Sequence, residues 1–85
     1  MEENDGVVLD VREPSEWELG TLPGAIKISL SELPSSLDSL DSKRPTLVVC
    51  RSGGRSLQAA MYLTMCGFEK AANMAGGMQA LGMQP

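Results

Sequence analysis

Short apolar runs alternating with helix signals constrain this chain more than any other feature. Residues 7–11 (Val-Val-Leu-Asp-Val), Ala25 to Ile28 and Thr46 to Cys50 read as strands, with a weaker fourth over Ala71 to Met74. Helix signals fall between them. Pro14-Ser15 opens a short helix over Glu16 to Leu19, Gly20 closes it, and Pro23-Gly24 marks a turn. Leu30, Leu33, Leu37 and Leu40 recur at steps of three and four, which predicts a helix over about 31–40 with Pro34 in its first turn. Ser56 to Cys66 carries the strongest helix signal, with Leu57, Ala60, Met61 and Thr64 on one face and Gly67 as C-cap. Gly76-Gly77 then leads into a short terminal helix over 78–82. Strands that alternate with helices specify an α/β fold: a small parallel sheet in a three-layer arrangement, helices on both faces. At 85 residues the chain holds one such domain.

The third strand signal ends on Cys50, and Arg51-Ser52-Gly53-Gly54-Arg55-Ser56 follows at once. A cysteine at a strand-to-helix junction faces the amide-rich, positive end of the helix, a setting that lowers a thiol pKa and cradles an anion. Two glycines let successive N–H groups converge on one point. Arg51 and Arg55 add charge that favours thiolate over thiol. A cysteine that ends an apolar strand is ordinarily a small core residue, but a structural loop has little need of this combination. The reading is a nucleophilic Cys50, with residues 51–56 binding an anionic substrate.

Composition closes off other chemistries. The net charge is -4 and no basic run occurs, which argues against nucleic acid or an anionic membrane as partner. No apolar stretch approaches the ~20 residues of a membrane span. With no histidine in the chain, a Cys-His dyad and a His-ligated metal are both excluded. Two cysteines are too few for a disulfide framework, the opening Met-Glu-Glu-Asn-Asp does not read as a signal peptide, and a working thiol fits a reducing cytoplasm. No metal or organic cofactor is implied.

Spacing narrows the reaction. A phosphatase cradle sets five residues between cysteine and arginine, whereas four, Arg51 to Gly54, separate Cys50 from Arg55. The smaller ring suits a terminal sulfur on Cys50 better than a tetrahedral phosphate.

With these motifs in hand, the chain resembles the rhodanese-like domains, the single-domain thiosulfate sulfurtransferase family. Asp10-Val11-Arg12 with Glu16-Trp17 looks like the family's N-terminal signature. Gly20-Thr21-Leu22-Pro23-Gly24-Ala25 looks like its Gly-His-Ile-Pro-Gly-Ala turn, with Thr21 in place of the histidine. Cys50 to Ser56 resembles the six-residue active loop, and Gly67-Phe68 and Ala75-Gly76-Gly77-Met78 resemble the C-terminal segments, with Leu81 in place of a tryptophan. The resemblance implies a domain over residues 1–85 that moves sulfane sulfur through a Cys50 persulfide. The donor would be a small anion such as thiosulfate, and the acceptor cyanide, a thiol or a sulfur-accepting protein. The family usually has a further strand and helix before Asp10, and only nine residues precede it here, so the expectation is a minimal or N-terminally truncated version. Two other classes stay open: a phosphatase- or arsenate-reductase-type enzyme, and a non-catalytic module of the same fold that binds a partner or carries sulfur.

Asp10, Arg12 and Glu16 stand at a strand end. They are read chiefly as an ion-pair cluster that fixes the first loop, with a place for Asp10 or Arg12 on the pocket rim as the alternative. Cys66, near a helix C-terminus, is expected to be a buried structural thiol. The six methionines read as core filler.

Overall fold

The computed structural model describes residues 6–51 and 53–74. Four strands, β1 (Val7–Asp10), β2 (Ile26–Lys27), β3 (Thr46–Val49) and β4 (Ala71–Asn73), form one sheet in the order β2-β1-β3-β4. Every neighbouring pair is parallel, with Leu9 opposite both Ile26 and Val48, and Val48 opposite Asn73. The chain leaves β1 toward one side and β3 toward the other, so the strand order reverses between these two central strands. Crevices at such reversals, at the carboxyl ends of parallel strands, are where α/β sheets place their sites.

Alternation along the strands sorts the core. Leu9 of β1 with Val11 just beyond it, and Val48 of β3 with Cys50 just beyond it, fall on one face and join Leu33, Ala59, Ala60, Leu63 and Phe68 in a single buried cluster. The helix α2 (Gly54–Met65) and a 3-10 segment (Leu30–Ser39) cover this face. Val49, one residue out of phase, is buried on the opposite side. The terminal helix expected over 78–82 lies outside the described residues.

The first helix, α1 (Pro14–Trp17), starts two residues before the expected position. Proline is favoured at the first helical position, where its missing N–H is not needed, and the Glu13 N–H donates to Glu16 Oε1 at 2.9 Å. The Pro23-Gly24 turn has Gly24 at φ 76° and is closed by the Ala25 N–H donating to the Leu22 carbonyl at 3.1 Å. That is a type II geometry, which places proline second and requires a positive φ third.

The helix expected over 31–40 is instead the run of 3-10 turns from Leu30 to Ser39, with Pro34 in its interior rather than its first turn. Pro34 has no N–H to give an i−4 carbonyl, and its ring crowds that carbonyl in an α-helix. Serine hydroxyls serve the tighter turn: Ser35 Oγ donates to the Glu32 carbonyl at 3.0 Å and Ser39 Oγ to the Ser36 carbonyl at 2.7 Å.

In α2 the buried residues are Ser56, Ala59, Ala60 and Leu63. The expected face, Leu57, Ala60, Met61 and Thr64, is therefore rotated by about one residue, or ~100°. Leu57 and Met61 are 49% and 59% exposed. Two small alanines allow the helix close to the sheet, and Ser56 is turned inward by its bonds at the site. Cys66, expected to be buried, is exposed. The helix ends at Met65, the chain turns at Gly67, and Phe68 takes the core position, its N–H donating to the Leu63 carbonyl at 3.0 Å.

Candidate active site

Cys50 lies directly after β3, on the α2 face of the sheet, and is 1% exposed. The chain then turns sharply into α2. Gly53, at φ 104°, is the N-cap of that helix, a left-handed conformation that costs an L-residue ~1–2 kcal/mol. This turn folds the backbone back over the sulfur. The Gly53 N–H donates to Cys50 Sγ at 3.1 Å and the Ser56 N–H at 3.3 Å. Two amides from the first turn of one helix thus converge on one sulfur, where a negative charge gains from both donors and from the helix dipole. Ser52 lies outside the described residues. Gly54 and Arg51 are exposed.

The hydroxyl of Ser56, a fully buried residue, also meets the sulfur: Cys50 Sγ donates to Ser56 Oγ at 3.4 Å. Ser56 Oγ in turn donates to Oδ1 of Asn73, the last residue of β4. A chain of hydrogen bonds therefore runs from the sulfur to the edge strand. Asn73 carried no signal in the sequence. An asparagine ending a weak strand reads as a terminator, and only the β3–β4 pairing brings it to the cysteine.

Arg55 was expected to hold the anionic end of a substrate. It instead grips Glu16 of α1 with both terminal nitrogens, Nη1 to Oε1 at 2.7 Å and Nη2 to Oε2 at 2.9 Å. The planar guanidinium matches the carboxylate edge on, the strongest geometry for such a pair. It holds the Glu16 carboxyl down at about 2, against an ordinary 4.5. The Arg55 pKa is raised, first by the same hydrogen bond and also by the charges of Glu16 and of Cys50. Arg55 therefore still acts on the sulfur through its field, while its donors tie the start of α2 to α1.

Asp10 and Arg12 are both fully buried and closed on each other. Arg12 Nε reaches Asp10 Oδ1 and Oδ2 at 3.0 Å, and Nη2 reaches Oδ2 at 2.8 Å. The remaining donors go to main-chain carbonyls, Nη2 to Gly20 at 2.6 Å and Nη1 to Glu16 at 3.4 Å. The Arg12 N–H also donates to Asp10 Oδ1 at 3.0 Å. One carboxylate and one guanidinium thus pin the loop after β1, α1 and the Gly20 turn together. A desolvated pair with its donors engaged in this way is a brace for the loop that presents Glu16 to Arg55. Among the described residues no group of His, Cys, Asp and Glu is arranged to hold a metal.

The comparisons with known proteins fall on the same side as this geometry. The model of the rhodanese-like domain matches residues 1–84. A protein of Allochromatium vinosum named "Sulfurtransferase" is 33% identical over 89% of this chain and 71% of its own length. The Arabidopsis thaliana "Rhodanese-like/PpiC domain-containing protein 12, chloroplastic" is 35% identical over 95% of this chain, which spans 28% of that protein. Among solved structures, the rhodanese-like domain protein of Staphylococcus aureus superposes with a TM-score of 0.89 at 32% identity, covering 95% of this chain and 78% of that one. A four-stranded parallel sheet with a cysteine cradled at the strand-to-helix turn defines the class, and the chain belongs to the rhodanese-like domain family.

Proposed function

We propose that the protein is a sulfurtransferase that moves sulfane sulfur from a small anionic donor, such as thiosulfate, to a thiophilic acceptor through a Cys50 persulfide. The observation that carries this reading is the convergence of the Gly53 and Ser56 amides on Cys50 Sγ at 3.1 and 3.3 Å. Sulfurtransferase is also the name borne by the Allochromatium vinosum relative.

The Cys50 thiolate attacks the outer sulfur of thiosulfate. The S–S bond breaks, sulfite leaves with the electron pair, and a persulfide remains on Cys50. Cyanide in an assay, or a thiol of a small molecule or protein, then attacks the outer sulfur and restores the thiolate. This is covalent, two-step catalysis. The loop amides hold the anionic sulfur in both resting and loaded states. Exposed Arg51 attracts the donor anion, Arg55 contributes its field and fixes the loop, and Ser52, Gly53 and Gly54 complete the substrate-binding ring in this reading. Asp10 and Arg12 brace the loop that carries Glu16. A reactive thiol of this kind works in a reducing compartment such as the cytoplasm.

Steady-state assay separates this from the phosphatase reading. The native protein should form thiocyanate from thiosulfate and cyanide, Cys50→Ser should not, and neither should hydrolyse p-nitrophenyl phosphate. Cys50-dependent phosphatase turnover without thiocyanate would overturn it. A fully folded protein inactive in both assays would favour a binding module of the same fold.

A further inference from the structure

We propose that Asn73 is a positioning residue that sets the proton state of Cys50 through the hydroxyl of Ser56. The proposal rests on the reading of Cys50 as the reactive thiol, though not on the identity of the sulfur donor.

A serine hydroxyl has one proton to give and two lone pairs to accept with. Ser56 Oγ gives that proton to Asn73 Oδ1, which leaves its lone pairs to receive the Cys50 S–H. That arrangement serves the thiol. A thiolate or persulfide anion has no proton to give and needs one instead. Ser56 can then serve the sulfur only by turning its hydroxyl away from Asn73. Ser56 is fully buried, so its oxygen finds its partners in Asn73 and the sulfur rather than in solvent.

A carboxamide, with both an acceptor and donors, supports both states. In one orientation Asn73 accepts from Ser56. Turned half over, it presents Nδ2–H to the Ser56 oxygen while the hydroxyl donates to the sulfur. The step balances simply: the thiol proton passes to solvent base, the hydroxyl and amide turn, and no electrons move. An aspartate in this position could only accept and would hold the hydroxyl away from the sulfur. A leucine would make no claim on it.

Among the described residues, Glu13, at the start of α1, acts through its charge on Arg55, which in turn feels Cys50. Arg55 of α2 is paired with Glu16 of α1, and Asp10 with Arg12 at the end of β1. Arg51 is exposed, as are Glu32 and Asp38 of the 3-10 segment. β4, reading Ala-Ala-Asn, brings no ionisable group. Asn73 therefore acts by hydrogen bonding alone.

The test is the pH dependence of Cys50 alkylation by iodoacetamide, with circular dichroism to show that each variant is folded. Asn73→Asp should move the midpoint up by about one unit or more, a tenfold loss of thiolate at a given pH. Asn73→Leu should move it down. Both variants are repeated on Ser56→Ala, where the hydroxyl relay is gone. There the difference between Asp and Leu should shrink to the through-space effect of one charge. An equal difference in both backgrounds, or unmoved midpoints in folded variants, would overturn the proposal. If Asn73→Asp does not fold, Asn73→Leu decides alone: its midpoint must fall when Ser56 is present and stay unmoved when it is not. Alkylation needs no sulfur donor. Midpoints that move as stated in a protein that transfers no sulfur would therefore uphold Asn73's role and count against the sulfurtransferase reading.

Discussion

Glu16 and Arg55, 39 residues apart in sequence, meet through two short hydrogen bonds, and each changes how the other titrates. The Glu16 carboxyl is lowered from 4.5 to about 2, first by its hydrogen bond to Arg55. A carboxyl whose folded pKa is depressed stabilises the fold at pH values above its unfolded pKa. That contribution fades as pH drops from about 4.5 and is gone below about 2. NMR titration should find the Glu16 midpoint near 2 in the native protein and back toward 4.5 in Arg55→Ala; an unmoved midpoint would mean that the pair does not form in solution. The pair is partly exposed, so its loss should cost only ~0.2–1 kcal/mol of stability. Catalysis should suffer more, because Arg55→Ala frees the start of α2 and removes its positive field from the sulfur. Asp10 and Arg12 present the opposite balance. Both are fully buried, so Asp10→Ala leaves a guanidinium charged and alone, a loss of ~3–5 kcal/mol. Against a total stability of ~5–15 kcal/mol, chemical denaturation should show a protein that is barely folded. A loss under ~1 kcal/mol would show that water reaches Arg12.

The elements differ in how far they could be read from the chain. The Cys50–Ser56 turn was legible because strand, glycine loop and helix are consecutive in sequence, and their junction places amides near the cysteine by local geometry alone. The partners of that turn were not. Glu16 and Asn73 reach it only through the sheet order, and neither residue type announces a long-range partner. The leucine spacing from Leu30 to Leu40 fits α and 3-10 periods equally well, and Pro34 together with the serine back-bonds selects the tighter turn. In α2, Leu57, Met61 and Met65 recur every fourth residue and imitate a core stripe, while the face that is buried carries Ser56 and two alanines. Size misled because close helix–sheet packing favours small residues there. Cys66 misled for a related reason: its step along the helix points inward, but the turn at Gly67 hands the core position to Phe68. The rotation of α2 has a measurable consequence. Leu63→Ala, at a fully buried site, should cost ~2–5 kcal/mol in urea unfolding. Leu57→Ala should stay within about 0.5 kcal/mol. The reverse ranking would restore the face that the sequence pattern suggests.

At the scale of the whole molecule, the order β2-β1-β3-β4 puts the carboxyl ends of four parallel strands along one edge. Three of those four strand ends contribute a part of the site. The loop after β1 carries the Arg12 brace and α1 with Glu16, the turn after β3 carries Cys50 and its amides, and β4 ends on Asn73. In the proposed function a small core suffices, because it has only to hold these ends in register around one sulfur. Mass spectrometry of the intact protein reads that sulfur directly. After incubation with thiosulfate and removal of excess donor, the native protein should gain the mass of one sulfur atom and lose it on addition of cyanide, while Cys50→Ser should gain nothing. A native protein that gains no sulfur, or a Cys50→Ser variant that gains as much as the native protein, would contradict the account.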